Sequence, residues 1–118
     1  MAAKDVLGQR GERLAEDFLA SAGLVILDRN WRCPQGEIDL VAREGDELVF
    51  VEVKTRTTTA FGHPLEAITA VKLARLRRLA AAWCAEHEAR ARSIRLDAVA
   101  VLAPPSGNPV IEHLRRIF

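Results

Sequence analysis

The stretch "GEIDLVAREGDELVFVEVKTR", residues 36–56, constrains the fold of this chain more than any other. Two alternating runs rich in branched residues flank "EGDE", the pattern of two strands joined by a tight turn. A turn of two residues (Gly45, Asp46) or of four (Glu44 to Glu47) gives the same antiparallel register. In that register Ile38 opposes Val53, Leu40 opposes Val51 and Ala42 opposes Val49, so one face is wholly apolar and belongs to a core. On the other face Val41 opposes Phe50, Asp39 opposes Glu52 and Glu37 opposes Lys54. A three- or five-residue loop would mix charged and apolar faces and is rejected.

Opposed side chains in a sheet have Cβ atoms about 4.5–5.5 Å apart, and like charges placed so destabilise it. At roughly 5 Å and an effective dielectric near 20, two carboxylates repel by about 3 kcal/mol. A shared divalent cation, Mg²⁺ or Mn²⁺, offsets that repulsion. Lys54 projects from the same face as Glu52, about 7 Å along the strand, and can hold a water or a developing negative charge beside the cation. Two carboxylates, a metal and an ammonium suit the attack of activated water on a phosphodiester.

Two other readings compete. In one, Lys54 neutralises Glu37 and the acids form a solvated sheet face; it is weakened because Asp39 and Glu52 are flanked by Val41, Phe50 and core valines. In the other, the carboxylate pair serves retaining glycoside hydrolysis. Against it, the chain has no Tyr, only Trp31 and Trp83 for sugar stacking, and little length for a sugar cleft.

Before the hairpin, Leu7, Leu14, Ala15, Phe18 and Ala22 form a helical stripe over about residues 5–22, with Gly23 as the stop. "LVILDRNWR" (24–32) reads as a strand entering the turn "CPQG". After the hairpin, "RTTTAFGHP" is a polar loop, and Pro64 suits the first turn of a long helix over about residues 65–89. "SIRLDAVAVLA" (93–103) alternates as a strand, and "VIEHLRRIF" (110–118) is a last strand or docked tail. The order αβββαββ predicts an α/β fold with a mixed sheet covered by helices. The 118 residues suffice for a single domain, residues 1–118, and not for two independent cores.

The charged start "MAAKDVLGQRGE" lacks the apolar core of a secretory signal, and no apolar run reaches membrane-spanning length, so a cytoplasmic protein with no membrane partner is expected. Cys33 and Cys84, with no CxxC or Cys/His cluster, are expected to be reduced, packed thiols. Net charge is +1, but residues 1–54 hold 7 Lys/Arg against 11 Asp/Glu, while residues 55–118 hold 10 against 5. An acidic cluster therefore shares one small domain with a basic segment.

Asp39 on one strand and Glu52-Val53-Lys54 on the next resemble the signature of the PD-(D/E)XK nuclease superfamily. More closely, "GERLAEDFL", "ILDRNWR", "GEIDLVA", "LVFVEVKTR", "FGHPLEAI" and "IRLDAVAV", in this order, resemble the YraN-type family of predicted endonucleases related to Holliday junction resolvases. The resemblance implies a restriction-endonuclease-like core, Asp39 and Glu52 as ligands of Mg²⁺ or Mn²⁺, and Lys54 as the catalytic lysine. It also implies that Glu12 of the first helix, which a helical wheel puts only beside the apolar stripe, joins the metal site. Glu37 is an accessory acid. The proline that names the superfamily motif is absent, Ile38 standing before Asp39.

On the long helix Lys72 falls among Leu65, Ile68, Leu76, Leu79 and Trp83. Either its stem packs and its head escapes to water, or it reaches the scissile phosphate or the acidic patch. Arg75 and Arg78, with Arg56, are candidates to track a nucleic-acid backbone. Arg95 and Asp97 share a strand face and are expected to form a structural ion pair. The sequence reading is thus a metal-dependent endonuclease acting on DNA, with branched or junction DNA implied by the resemblance and a homodimer compatible with it. The alternative is a nucleic-acid-binding accessory protein with little turnover.

Overall fold

The computed structural model describes residues 3–60 and 62–117; Phe61 of the polar loop and Phe118 of the last segment lie outside the described residues. Helix α1 (Ala3–Ser21) buries Ala15 and Leu19. It ends with Gly23 N–H on Ala20 O (3.1 Å) and Leu24 N–H on Leu19 O (3.0 Å), the paired bonds that satisfy a helix's last carbonyls. Strands β1 (Val25–Cys33), β2 (Gly36–Glu44) and β3 (Glu47–Arg56) follow, then α2 (Ala70–Glu86), β4 (Ser93–Leu102) and β5 (Val110–Leu114). The strands stand in the sheet in chain order. β3 and β4 are parallel and every other neighbouring pair is antiparallel. A parallel pair needs a crossover connection, and α2 supplies it. This is the expected α/β architecture, a mixed sheet flanked by helices, and it is compatible with a restriction-endonuclease-like core.

The period-2 pattern of β2 and β3 distributes their side chains to two cores. On the α1 side Ala15 and Leu19 pack with Leu40, Ala42, Val49, Val51, Val99 and Val101. On the α2 side Leu76, Leu79 and Trp83 pack with Ile38, Val41, Phe50 and Leu96. Trp83 also donates its indole N–H to Asp28 at 2.9 Å, which gives the polar edge of a buried ring a partner. Cys33 and Cys84 are free and pack against the α2-side core, as expected.

The β2–β3 turn is the two-residue one: Glu44 pairs with Glu47, and Gly45 takes φ 59°, a conformation that glycine adopts without strain. Leu40, Val41 and Ala42 face Val51, Phe50 and Val49 as the register requires. Ile38 departs from the expectation. It lies in the α2-side core and not on the face of Leu40, and the paired ladder of β2 and β3 ends at Leu40 and Val51. Beyond that point β1 and β2 turn over together, with Arg29 opposite Leu40, Trp31 opposite Ile38, and Asn30 between them at φ 49°.

The long helix also differs. Pro64 begins a separate 3-10 turn (Pro64–Ala67), and Thr69 caps α2 by accepting from Lys72 N–H at 3.2 Å. The Lys72 ammonium donates to Ala67 O at 2.8 Å, clamping the 3-10 turn onto the first turn of α2. Lys72 thus commits one ammonium hydrogen to the helix start, because the capping break at Thr69 folds that start back within its reach.

Candidate active site

α1 crosses the sheet at Thr55. A Cβ built on Gly11 would lie 1.8 Å from Thr55 Oγ1 and 2.7 Å from Thr55 Cβ, and rotating the threonine cannot move the latter. Only glycine allows this approach, and it sets Glu12, the next residue, over the first residues of β2. Gly11→Ala is therefore expected to destabilise the protein by about 1–3 kcal/mol through overpacking, although alanine is the better helix former. Chemical denaturation checks this, and a variant as stable as the wild type would show that α1 does not need the contact.

Glu12, Glu37 and Asp39 come together with one carboxylate oxygen each within 4.8 Å of the others. Each is held differently. Asp39 Oδ2 accepts the Val53 backbone N–H at 2.7 Å, so a side chain bridges β2 to β3 where the backbone ladder has ended. Asn30 Nδ2 donates to Glu12 Oε1 at 2.7 Å and to Glu37 Oε1 at 3.3 Å. Arg32 Nε donates to Glu37 Oε2 at 2.8 Å. Glu37 therefore pairs with Arg32 and Asn30, not with Lys54 as the simple register predicted, because the turn-over at Asn30 and Asp39 carries it away from β3. Lys54 Nζ instead lies 3.3 Å from Glu52 Oε1.

Burial pushes the Asp39 carboxyl up, and the charges of Glu52, Glu12 and Glu37 push it further, to about 8 against the partial relief of the Val53 amide. Glu52 is the strongest of the three charges acting on Asp39, although it is not one of the clustered three. The predicted acids thus share one field, with Glu12 and Glu37 at the cluster and Glu52 held beside it by Lys54. A groove of about 180 Å³, lined by Gln9, Arg13, Glu16 and Arg29 among others, opens onto Glu12 and Asn30.

The basic candidates are dispersed. Arg75 and Arg78 lie exposed on α2, with the Arg75 stem 3.9 Å from where a Cβ on Gly36 would be, and so beside the start of β2. Arg56 donates to its neighbour's carbonyl, Thr55 O, at 3.1 Å. At the other end of the sheet Arg95 grips buried Asp97 with two bonds of 2.9 and 3.0 Å, the structural pair expected. Asp97 also takes His113 Nε2 at 2.7 Å and the Arg116 amide at 3.0 Å, which ties the C-terminal segment across β4.

Asn30 is the site residue that motif reading passed over. Its signal was present: asparagine is poor in a strand yet tolerates left-handed backbone, and it interrupts the branched run "LVILDRNWR".

Comparison with known proteins gives the relationship. The profile described as "Uncharacterised protein family UPF0102" matches residues 11–101. The chain is 61% identical over 117 residues to the UPF0102 protein of Beutenbergia cavernae, covering 99% of both chains. It is 58% identical to that of an Arthrobacter species, again over 99% of both. It is 55% identical to a UPF0102 protein of Frankia alni, over all of this chain and 98% of the relative. With the match spanning both the helix that carries Glu12 and the strands that carry Asp39, Glu52 and Lys54, the chain belongs to the UPF0102 family.

Proposed function

We propose that this protein is a metal-dependent nuclease that hydrolyses phosphodiester bonds in DNA, with branched or junction DNA the substrate that the family resemblance favours. The observation that carries the reading is the convergence of Glu12, Glu37 and Asp39 from α1 and β2, with the Glu52–Lys54 pair beside them. An all-oxygen, anionic donor set fits a hard cation, Mg²⁺ or Mn²⁺, better than zinc. Glu12, Glu37 and Asp39 would hold it, and Glu52 stands close enough to add its charge. Such an ion supplies charge neutralisation at the attacking and leaving oxygens of a phosphodiester.

The chain's own groups have separate tasks. The Val53 amide fixes one oxygen of Asp39 and leaves the other for the ligand. Lys54, its side chain 25% exposed, is positioned by Glu52 and offers an ammonium to the negative charge that develops on the phosphate. Incubation with Mg²⁺ or Mn²⁺ and a panel of linear, flapped, single-stranded and four-way DNAs should give cleavage that chelator stops. Lys54→Ala should remove it while leaving metal binding largely intact. Cleavage that persists in chelator, or is undiminished in Lys54→Ala, places the chemistry elsewhere.

The solvent-facing guanidinium of Arg78, with Arg75 one turn earlier on α2, supports a backbone-contact role for this helix. Replacing both by Ala should weaken binding of all DNA sequences alike and flatten the dependence of log affinity on log salt by about 0.9 for each phosphate no longer neutralised. An unchanged slope would move the binding surface away from α2.

A further inference from the structure

We infer that Asn30 is a positioning residue that sets the spacing of Glu12 and Glu37 and thereby the affinity of their site for a divalent cation. The inference rests on the reading of these acids as a metal site and assigns a role to a residue outside the nuclease-type motif.

Asn30 is the one residue of β1 with φ in the left-handed region, at 49°. Its neighbours point apart: Arg29 pairs with Glu16 of α1, its Nη2 2.9 Å from Oε2, while Trp31 packs on the α2-side core and donates its indole N–H to Glu86 at 2.7 Å. Between them the amide of Asn30 reaches two carboxylates from separate elements, Glu12 of α1 and Glu37 of β2. Ionised carboxylates only accept, so the nitrogen end of the amide must face them, and its two hydrogens are divided between them.

The chemistry of the bridge matters. A lysine or arginine in place of Asn30 would add a positive charge to the pair; a neutral amide holds two anions in place without doing so, and Glu12 keeps its charge for a cation while Glu37 shares its own with Arg32. Glu37 Oε2 is taken by Arg32, whereas Glu12 Oε2 has no hydrogen-bond partner among the described residues. Groups that orient metal ligands in this way are typically worth about 10- to 100-fold in affinity.

The informative variant is Asn30→Gly, because glycine accepts φ 49° and the backbone kink survives while the bridge is lost. Titration of the protein with Mn²⁺ alone, followed calorimetrically, should give a Kd about 10- to 100-fold weaker than wild type. A purely structural Asn30 would lower the metal-free melting temperature and leave that Kd unchanged, which overturns the inference while leaving the metal site standing. Wild-type protein that binds no Mn²⁺ overturns both. The wild type also provides a test that needs no variant: saturation with Mg²⁺ should shift the side-chain ¹H–¹⁵N signals of Asn30, and signals that stay in place overturn the inference even if Asn30→Gly does not fold.

Discussion

Asp39→Asn should lose more than about 100-fold in cleavage rate and yet be as stable as the wild type, or more so, when metal is absent. The rate loss follows from the proposed metal-dependent nuclease reading, in which Asp39 would be a charged ligand and even the groups that orient ligands are worth about 10- to 100-fold. The stability gain follows from the raised carboxyl. Asp39 ionises near 4 in the unfolded chain and at about 8 in the folded one, first because it is buried and then because Glu52, Glu12 and Glu37 surround it. Between those values the native state holds a proton that the unfolded state has released. Stability from this group is therefore fully present below pH 4 and is lost as pH rises to about 8, at up to roughly 1.4 kcal/mol per unit. Asparagine cannot ionise and escapes the loss. Thermal melts in chelator at pH 5, 7 and 9 should show wild type falling relative to Asp39→Asn as pH rises. Saturating Mg²⁺ should restore wild type by binding only the folded state, and should do much less for the variant. If Asp39→Asn is clearly the less stable protein in chelator, and metal raises both equally, the acids are structural.

Asp97→Ala should cost about 3–5 kcal/mol of unfolding free energy, the cost of breaking a buried ion pair from one side. That range is the upper bound: Asp97 is fully buried and Arg95 only 4% exposed, and the guanidinium would lose its buried bidentate partner while keeping Glu44 at 2.8 Å and Glu47 at 3.3 Å. The Arg116 amide and His113 would lose theirs too, and with them the attachment of the C-terminal segment to β4. Burial alone would raise the Asp97 carboxyl, but the bonds from His113 and Arg95 and from the Arg116 amide outweigh it and hold the group below its ordinary 3.8. A depressed carboxyl contributes stability that is complete above about pH 4 and is lost as pH falls through its folded value. Urea denaturation at pH 7 and pH 3 should therefore show a smaller gap between wild type and Asp97→Ala at the lower pH. Glu112, 52% exposed and paired with His63, is the control: Glu112→Ala should change stability by no more than about 0.5 kcal/mol. A similarly small effect for Asp97→Ala would mean that the network carries no stability.

Much of this molecule is legible in local pattern. Alternation through residues 36–56 determined the hairpin and the pairing of Leu40 with Val51, because strand side chains alternate strictly and a slip of one residue would turn every valine outward; it left a two- or a four-residue turn open, and the pairing of Glu44 with Glu47 decided for two. The same alternation put Asp39, Glu52 and Lys54 in one neighbourhood, and the apolar stripe of α1 marked Ala15 for burial. Tertiary structure decided what those patterns could not carry. The approach of Gly11 to Thr55 brings Glu12 to Asp39, and no periodicity within either segment encodes a meeting between them. The left-handed turn at Asn30 swings Ile38 to the α2 side and Glu37 toward Arg32, so it overrides the pleat at the site itself. Lys72, a candidate site residue on a helical wheel, donates to Ala67 O because the helix starts only after Thr69. Pleat and helical pitch are properties of adjacent residues and can be read from them; the convergence of acids from α1 and β2 depends on how closely a helix settles on a sheet, which is set by packing between segments distant in the chain.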